Sequence, residues 1–346
     1  NVTVAPPPVP TVTGGSLALA FNASGSHNFA PTQAGVLAIS ATPAHGSVSI
    51  SGGSVTYTPD ADYIGADSFS VTATNLGGTS APATVNVTVA PPPVPTVTGG
   101  SLALAFNASG SHHFAPTQAG VLAVSAAPAH GSVAISGGLV TYTPAEDYIG
   151  TDSFSVTATN LGGTSTPATV NVTVAPPPIP SIFGGSISVA WNGTGSIDLA
   201  PTERGVLAIS EGPEHGTVII AGGVVTYDPA QDYLGADSFK VTATNLGGTS
   251  APVTISVNVA APDAPVGNAA TLTTPFGAAV STNLSVTGQF NTITLTQPSH
   301  GSAALVGTTL TYTPAAGYFG PDSLTYEAVG FGGTSGPVTV AVQVAL

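Results

Sequence analysis

The chain of 346 residues has no cysteine and no methionine. A disulfide framework, a thiolate metal site and a cysteine nucleophile are therefore all excluded. Cations are nearly as scarce, because Arg204 and Lys240 are the only basic side chains besides histidine, against 16 acids and a formal net charge of -14. Nucleic acid and anionic membrane surfaces are held by clustered Lys and Arg, so this balance argues against both as partners. Acids are sparse too. With charged residues at 5% of the chain, Ser, Thr and Asn must supply most of the polar surface. No apolar run approaches the roughly 18 residues of a membrane span, so no membrane insertion is expected within this segment. A chain without sulfur and with two tryptic targets suits an extracellular or bacterial cell-surface setting. No signal peptide is visible, and any targeting sequence is expected to lie outside this segment or to have been removed.

What is present is repetition. Tyr57-Thr58-Pro59 recurs as Tyr142-Thr143-Pro144, Tyr227-Asp228-Pro229 and Tyr312-Thr313-Pro314, a constant step of 85 residues. His45, His130, His215 and His300, each followed by glycine, keep the same step, as do Gly77, Gly162, Gly247 and Gly332. Four repeats follow at 6–90, 91–175, 176–260 and 261–346, each large enough to support its own core. Residues 1–5 stand apart. Asn1, Val2, Thr3 and Val4 carry the sequence of a last strand whose own repeat is absent, which reads either as the end of a preceding repeat or as a polymerisation strand donated to a neighbour.

Inside each repeat the apolar period is two, the pattern of half-buried strands. Val85, Val87 and Val89 point one way while Thr84, Asn86 and Thr88 point the other. A hairpin is expected between His45 and Pro59, turning at Gly52-Gly53. Further strands are expected at Pro10–Thr13, Leu17–Phe21, His27–Phe29, Val36–Ser40 and Phe69–Asn75. Gly (43) and Pro (31) are too frequent for helix. About seven short strands per repeat predict an all-β chain of four tandem immunoglobulin-like β-sandwich domains in an extended rod. Phe21, Phe106, Trp191 and Phe276, with Tyr63, Tyr148, Tyr233 and Tyr318, are expected as core anchors. Asp67, Asp152, Asp237 and Asp322 are expected to accept backbone N–H groups in the preceding turn. Proline runs such as Pro91-Pro92-Pro93-Val94-Pro95 read as short semi-rigid spacers between domains.

The stretch Val55-Thr-Tyr-Thr-Pro-Asp-Ala-Asp-Tyr-Ile-Gly-Ala-Asp-Ser-Phe69, with Pro43-Ala-His-Gly before it and Gly78-Thr-Ser-Ala-Pro after it, resembles the immunoglobulin-like and cadherin-like tandem repeats of large bacterial surface proteins. Modules of that kind act as stalks and spacers in adhesins, autotransporter passengers and surface fibres. The resemblance therefore implies a structural, non-enzymatic protein of the cell surface that self-associates into fibres or continues a longer array. Its alternative is an adhesin module that touches a glycan or host protein through loops such as Leu76–Ser80. Calcium-stiffened cadherin junctions carry acidic motifs, whereas these junctions are proline-rich with few acids. No metal and no cofactor is expected.

Catalytic residues are not expected either. The four recurrent histidines sit in Pro-x-His-Gly turns without an acid or nucleophile in fixed relation, and read as turn residues. The third repeat holds seven of the acids, among them Glu211 and Glu214, a pattern that fits drift on a solvated face.

Overall fold

The computed structural model describes residues 3–346. It divides into two units, Asn1–Pro176 with the first two repeats and Pro177–Leu346 with the last two. Strands fill the secondary structure of the described residues, and no helix occurs among them.

In the first repeat eight strands form: β1 Gly15–Leu19, β2 Gly25–Asn28, β3 Val36–Ala41, β4 Gly46–Ser51, β5 Ser54–Pro59, β6 Gly65–Asn75, β7 Gly78–Thr79 and β8 Ala83–Val89. One sheet runs β1-β8-β6-β3 with β7 beside β6, and the other runs β2-β5-β4. Pairing is antiparallel throughout except between β1 and β8, which run parallel with Gly15 opposite Val85 and Leu19 opposite Val89. A bulge between Ile39 and Ala41 interrupts β3 against β6. Bulges bend and twist an edge strand, which discourages pairing with foreign strands. The same order of strands in the two sheets returns in the other three repeats, and the fourth adds a short antiparallel pair, Val266–Gly267 with Val286–Thr287.

The strict alternation in β8 places Val85, Val87 and Val89 in the core and leaves Thr84, Asn86 and Thr88 outside. Tyr57 and Phe69 lie between the sheets, fully buried, with ring centroids 6.4 Å apart. Each repeat has a separate core of this kind. Burial of a Val, Leu or Phe side chain stabilises by about 1.5–3 kcal/mol, so some ten such residues suffice for a domain of this size to hold its own fold.

Three expectations change. Pro10–Thr13 is not a strand, because Pro10 is buried without a backbone donor and Thr11 pairs instead with Thr32 through reciprocal bonds near 3 Å. The aromatic after β1 is not a core anchor. Phe21 lies beyond the end of the strand, half-buried, and its counterpart Phe276 is 50% exposed. The proline runs, finally, expected as semi-rigid spacers between domains, are partly built into the domains. Asn75 donates to the carbonyl of Pro8, and Asn160 and Asn245 do the same to Pro93 and Pro178, so each of the first three runs is bound to the repeat that follows it.

Among the described residues of the opening segment, Thr3 and Val4 are exposed and belong to no strand. Asn1 and Val2 lie outside the described residues.

Candidate functional site

The chemically richest place in each repeat is the corner where β5, β6 and the His-Gly turn meet. Tyr57 is buried among apolar residues, so its hydroxyl must find a partner inside. It donates to the Asp67 carboxylate at 3.0 Å and shares itself with the carbonyl of His45 at 3.0 Å. Asp67 also accepts the N–H groups of Ala44, His45 and Ser68, at 3.0, 2.9 and 2.8 Å. One carboxylate thus closes a turn, the start of a strand and a core tyrosine together. Asp152, Asp237 and Asp322 do the same with Tyr142, Tyr227 and Tyr312.

The neighbouring signature residues serve this corner. His45 stacks flat on Tyr63, with centroids 4.4 Å apart and planes 12° apart. Tyr63 turns its hydroxyl back to the carbonyl of Ala66, so its ring packs against the core edge while its polar tip stays satisfied. Gly46 is glycine because a Cβ there would meet the Tyr57 ring at 2.8 Å and the carbonyl of Thr58 at 2.5 Å. Tyr148, Tyr233 and Tyr318 repeat the stacking on His130, His215 and His300.

The electrostatics follow from this geometry. Burial alone would raise the pKa of Asp67, yet the N–H groups of Ala44, His45 and Ser68 and the Tyr57 hydroxyl stabilise the anion more, and hold it below the usual carboxylate range. Tyr57 moves the other way, pushed above its ordinary value by burial and then by its bond to the Asp67 anion. A carboxylate saturated by four donors has no lone pair directed at a substrate, and a tyrosine held protonated cannot act as a base. The corner is built to stay as it is.

The sign of the pH dependence is set by the lowered aspartates. Since their folded pKa lies below the unfolded value of about 3.9, their contribution is complete above about pH 4 and is lost as pH falls through the folded value. Thermal melting followed by circular dichroism should be flat from pH 7 to about 5 and then decline steeply toward pH 2. A melting temperature that held or rose across the acid range would show that the four carboxylates carry no stability.

A second constellation joins the loops after β1 and β5. Asn22 donates to Asp62 at 3.1 Å, and the Asp62 N–H donates back to Asn22 at 2.9 Å, with both residues in the left-handed region at φ 55° and 59°. Asn107 with Asp147 and Asn192 with Asp232 reproduce it. In the fourth repeat both positions are glycine, Gly277 and Gly317, at φ 75° and 81°. The backbone shape is kept and the side-chain pair is dropped as a pair, which gives Asp62 a part in turn geometry.

The Gly-Gly-Thr-Ser run has an equally local explanation. A Cβ on Gly77 would strike the carbonyl of Pro7 at 1.9 Å, and Gly78 sits at φ 134°, so both positions exclude side chains. Thr79 bonds Thr74 across the turn, and the Ser80 hydroxyl accepts the N–H of Ala73 at 3.0 Å. The loop Leu76–Ser80 therefore grips the proline segment of its own repeat. An open recess of about 490 Å³ lies beside His130, Asp152 and Asn171, and its one carboxylate is already saturated.

A sequence model of the bacterial Ig domain matches residues 3–88, 91–173, 177–258 and 262–343, nearly the whole chain in four copies. The chain belongs to the bacterial Ig domain family. A curated relative, Protein GAMETE EXPRESSED 2 of Arabidopsis thaliana, is 29% identical over 42% of this chain and spans 21% of its own length in the match. Among solved structures, the protocadherin gamma B2 extracellular cadherin domains 3–6 are 14% identical and cover 98% of this chain and 100% of their own, with a TM-score of 0.40. The protocadherin gammaB4 extracellular domain is 15% identical over 100% of this chain and 68% of its own, with a TM-score of 0.38.

Within the bacterial Ig domain, the signature residues Tyr57, Asp67, His45, Gly46 and Gly77 now have structural duties. Sequence reasoning placed Asp67 at the turn but missed its partner Tyr57, which it read only as a repeat marker on the hairpin before Pro59. The alternation in Val55-Thr-Tyr already marks Tyr57 as buried, and a buried hydroxyl ten residues before an aspartate at the start of the next strand is the signal that finds the pair.

Proposed function

We propose that the chain is a load-bearing segment of a bacterial extracellular stalk or surface fibre, in which the tandem domains themselves are the working parts. The observation that carries the reading is the parallel β1–β8 pair. Beyond the proline segment that Asn75 and Thr32 hold to the repeat, the chain runs into the start of β1 and leaves at the end of β8, and these two points lie at opposite ends of the paired strands. Tension along the chain therefore shears the bonds between Gly15–Leu19 and Val85–Val89 all at once and cannot peel them one by one. The same parallel pair closes the second, third and fourth repeats. Repeated shear-loaded closures support a mechanical role, and the saturated corner supports a non-catalytic one. The absence of sulfur fits an extracellular location, and the uncharged Ser and Thr rows on β6 and β8 suit side-by-side packing of copies within a fibre.

Antibody raised against the repeats tests the assignment on intact cells of the source organism. The expected result is label along the length of surface fibres, visible by negative-stain microscopy. Label confined to fibre tips, together with sugar or cell binding that is lost when Leu76–Ser80 is altered, would replace the stalk reading by an adhesin.

A further inference from the structure

The chain has a single tryptophan, and it sits at a place where the repeats differ in a correlated way. Trp191 follows the first strand of the third repeat, whose last residue Ala190 lies opposite Ala260, the residue before the segment that leads into the fourth. The position is Phe21 and Phe106 in the first two repeats and Phe276 in the fourth. Phe331 forms the tip of a tight turn in the fourth repeat, where the other three carry Leu76, Leu161 and Leu246. These two departures meet. The rings of Trp191 and Phe331 lie 5.2 Å apart at 35°, and the indole N–H is shut away from solvent with no acceptor among the described residues.

At the equivalent positions of the first unit stand Phe21 and Leu161, and Leu161 remains 59% exposed against 36% for Phe331. An aromatic pair at this separation contributes beyond its buried area, and a Leu cannot supply that part. The turn that carries Phe331 is itself fixed, because Gly332 lies against the carbonyl of Pro262 and leaves no room for a side chain.

We infer that Trp191 and Phe331 form a dedicated aromatic lock that joins the third and fourth repeats into a stiffer pair than the first and second. The lock deepens the proposed mechanical role, and its test in solution is independent of whether the repeats decorate a fibre. A locked joint passes load and orientation from one domain to the next, whereas a looser one absorbs bending. The chain would then carry one stiff segment and one compliant segment encoded by two substitutions.

Both the tryptophan and the absence of cysteine make the inference accessible in the full chain. Trp191 emission should be blue-shifted and poorly quenched by acrylamide, and Phe331→Ala should shift it to the red and raise quenching severalfold, with Phe331→Leu between the two. Spin labels on Thr217→Cys with Ser302→Cys report the joint between the third and fourth repeats. Labels on Ser47→Cys with Ser132→Cys, at the same register, report the joint between the first and second. The expected distance distribution is narrow for the first pair and broader for the second, and Phe331→Ala should broaden the first, with the open population rising roughly tenfold. Equal widths for the two pairs, or an emission spectrum and a distribution unmoved by Phe331→Ala in a chain that melts normally, would overturn the lock.

Discussion

Replacing Asp67 by alanine should lower the melting temperature of the first repeat by about 15 °C while the other three repeats melt where they did. The carboxylate accepts three backbone N–H groups and the buried Tyr57 hydroxyl, and alanine leaves all four without that acceptor. Hydrogen bonds to a charged group contribute about 1.5–3 kcal/mol each, but the N–H groups near the surface recover water. A net cost of about 3 kcal/mol is the result, and 1 kcal/mol moves the midpoint of a domain this size by about 4–8 °C. Asp67→Asn keeps one carbonyl oxygen and should cost about half as much. Calorimetry on the full chain separates the altered domain from the rest. If the first repeat moved by less than about 2 °C, the corner would be ornamental and the recurrence of Asp and Tyr would need another cause.

How far these features could be read from sequence depends on the kind of physics behind each. Alternation along β8 and β6 was legible because a strand exposes every second residue, so Val85, Val87 and Phe69 announce their own burial. The role of Asp67 was half legible. Its place before a strand suggested a turn acceptor, whereas its bond to Tyr57 depends on which turn folds over which strand. Phe21 misled for a different reason. Aromatic side chains usually fill cores, but this one lies past the last paired residue of β1, where it stays half-buried.

The proline runs show the same limit. Proline composition predicts extended backbone, but the grip of Asn75 on Pro8 spans 67 residues and leaves no local trace. Gly77 is the hidden witness of that contact, since only the passing Pro7 carbonyl explains why a side chain is excluded there. The coupled loss of Asn22 and Asp62 as Gly277 and Gly317 could have been found by comparing the four repeats with one another, as could the coupled gain of Trp191 and Phe331. Internal repetition thus gives the chain its own record of which positions change together.

The second large effect concerns force. Pulled from its ends, the chain should unfold in four steps, each releasing about 250 Å of contour, because roughly 85 residues extend to nearly 300 Å and the folded domain already spans about 40 Å. The force in each step reflects the shearing of a parallel pair. A different attachment changes the geometry without changing the fold: Ser16→Cys and Thr84→Cys place handles on neighbouring strands at the same end of the β1–β8 pair, both on exposed positions. Tension there opens the pair one bond at a time, and the first repeat should yield at a severalfold lower force. The most direct test of the load-bearing reading is therefore single-molecule force spectroscopy in the two geometries. The account predicts four equal steps at high force from the ends and an early, weak opening of the first repeat from the paired cysteines. Equal forces in both geometries, or fewer than four steps from the ends, would contradict it.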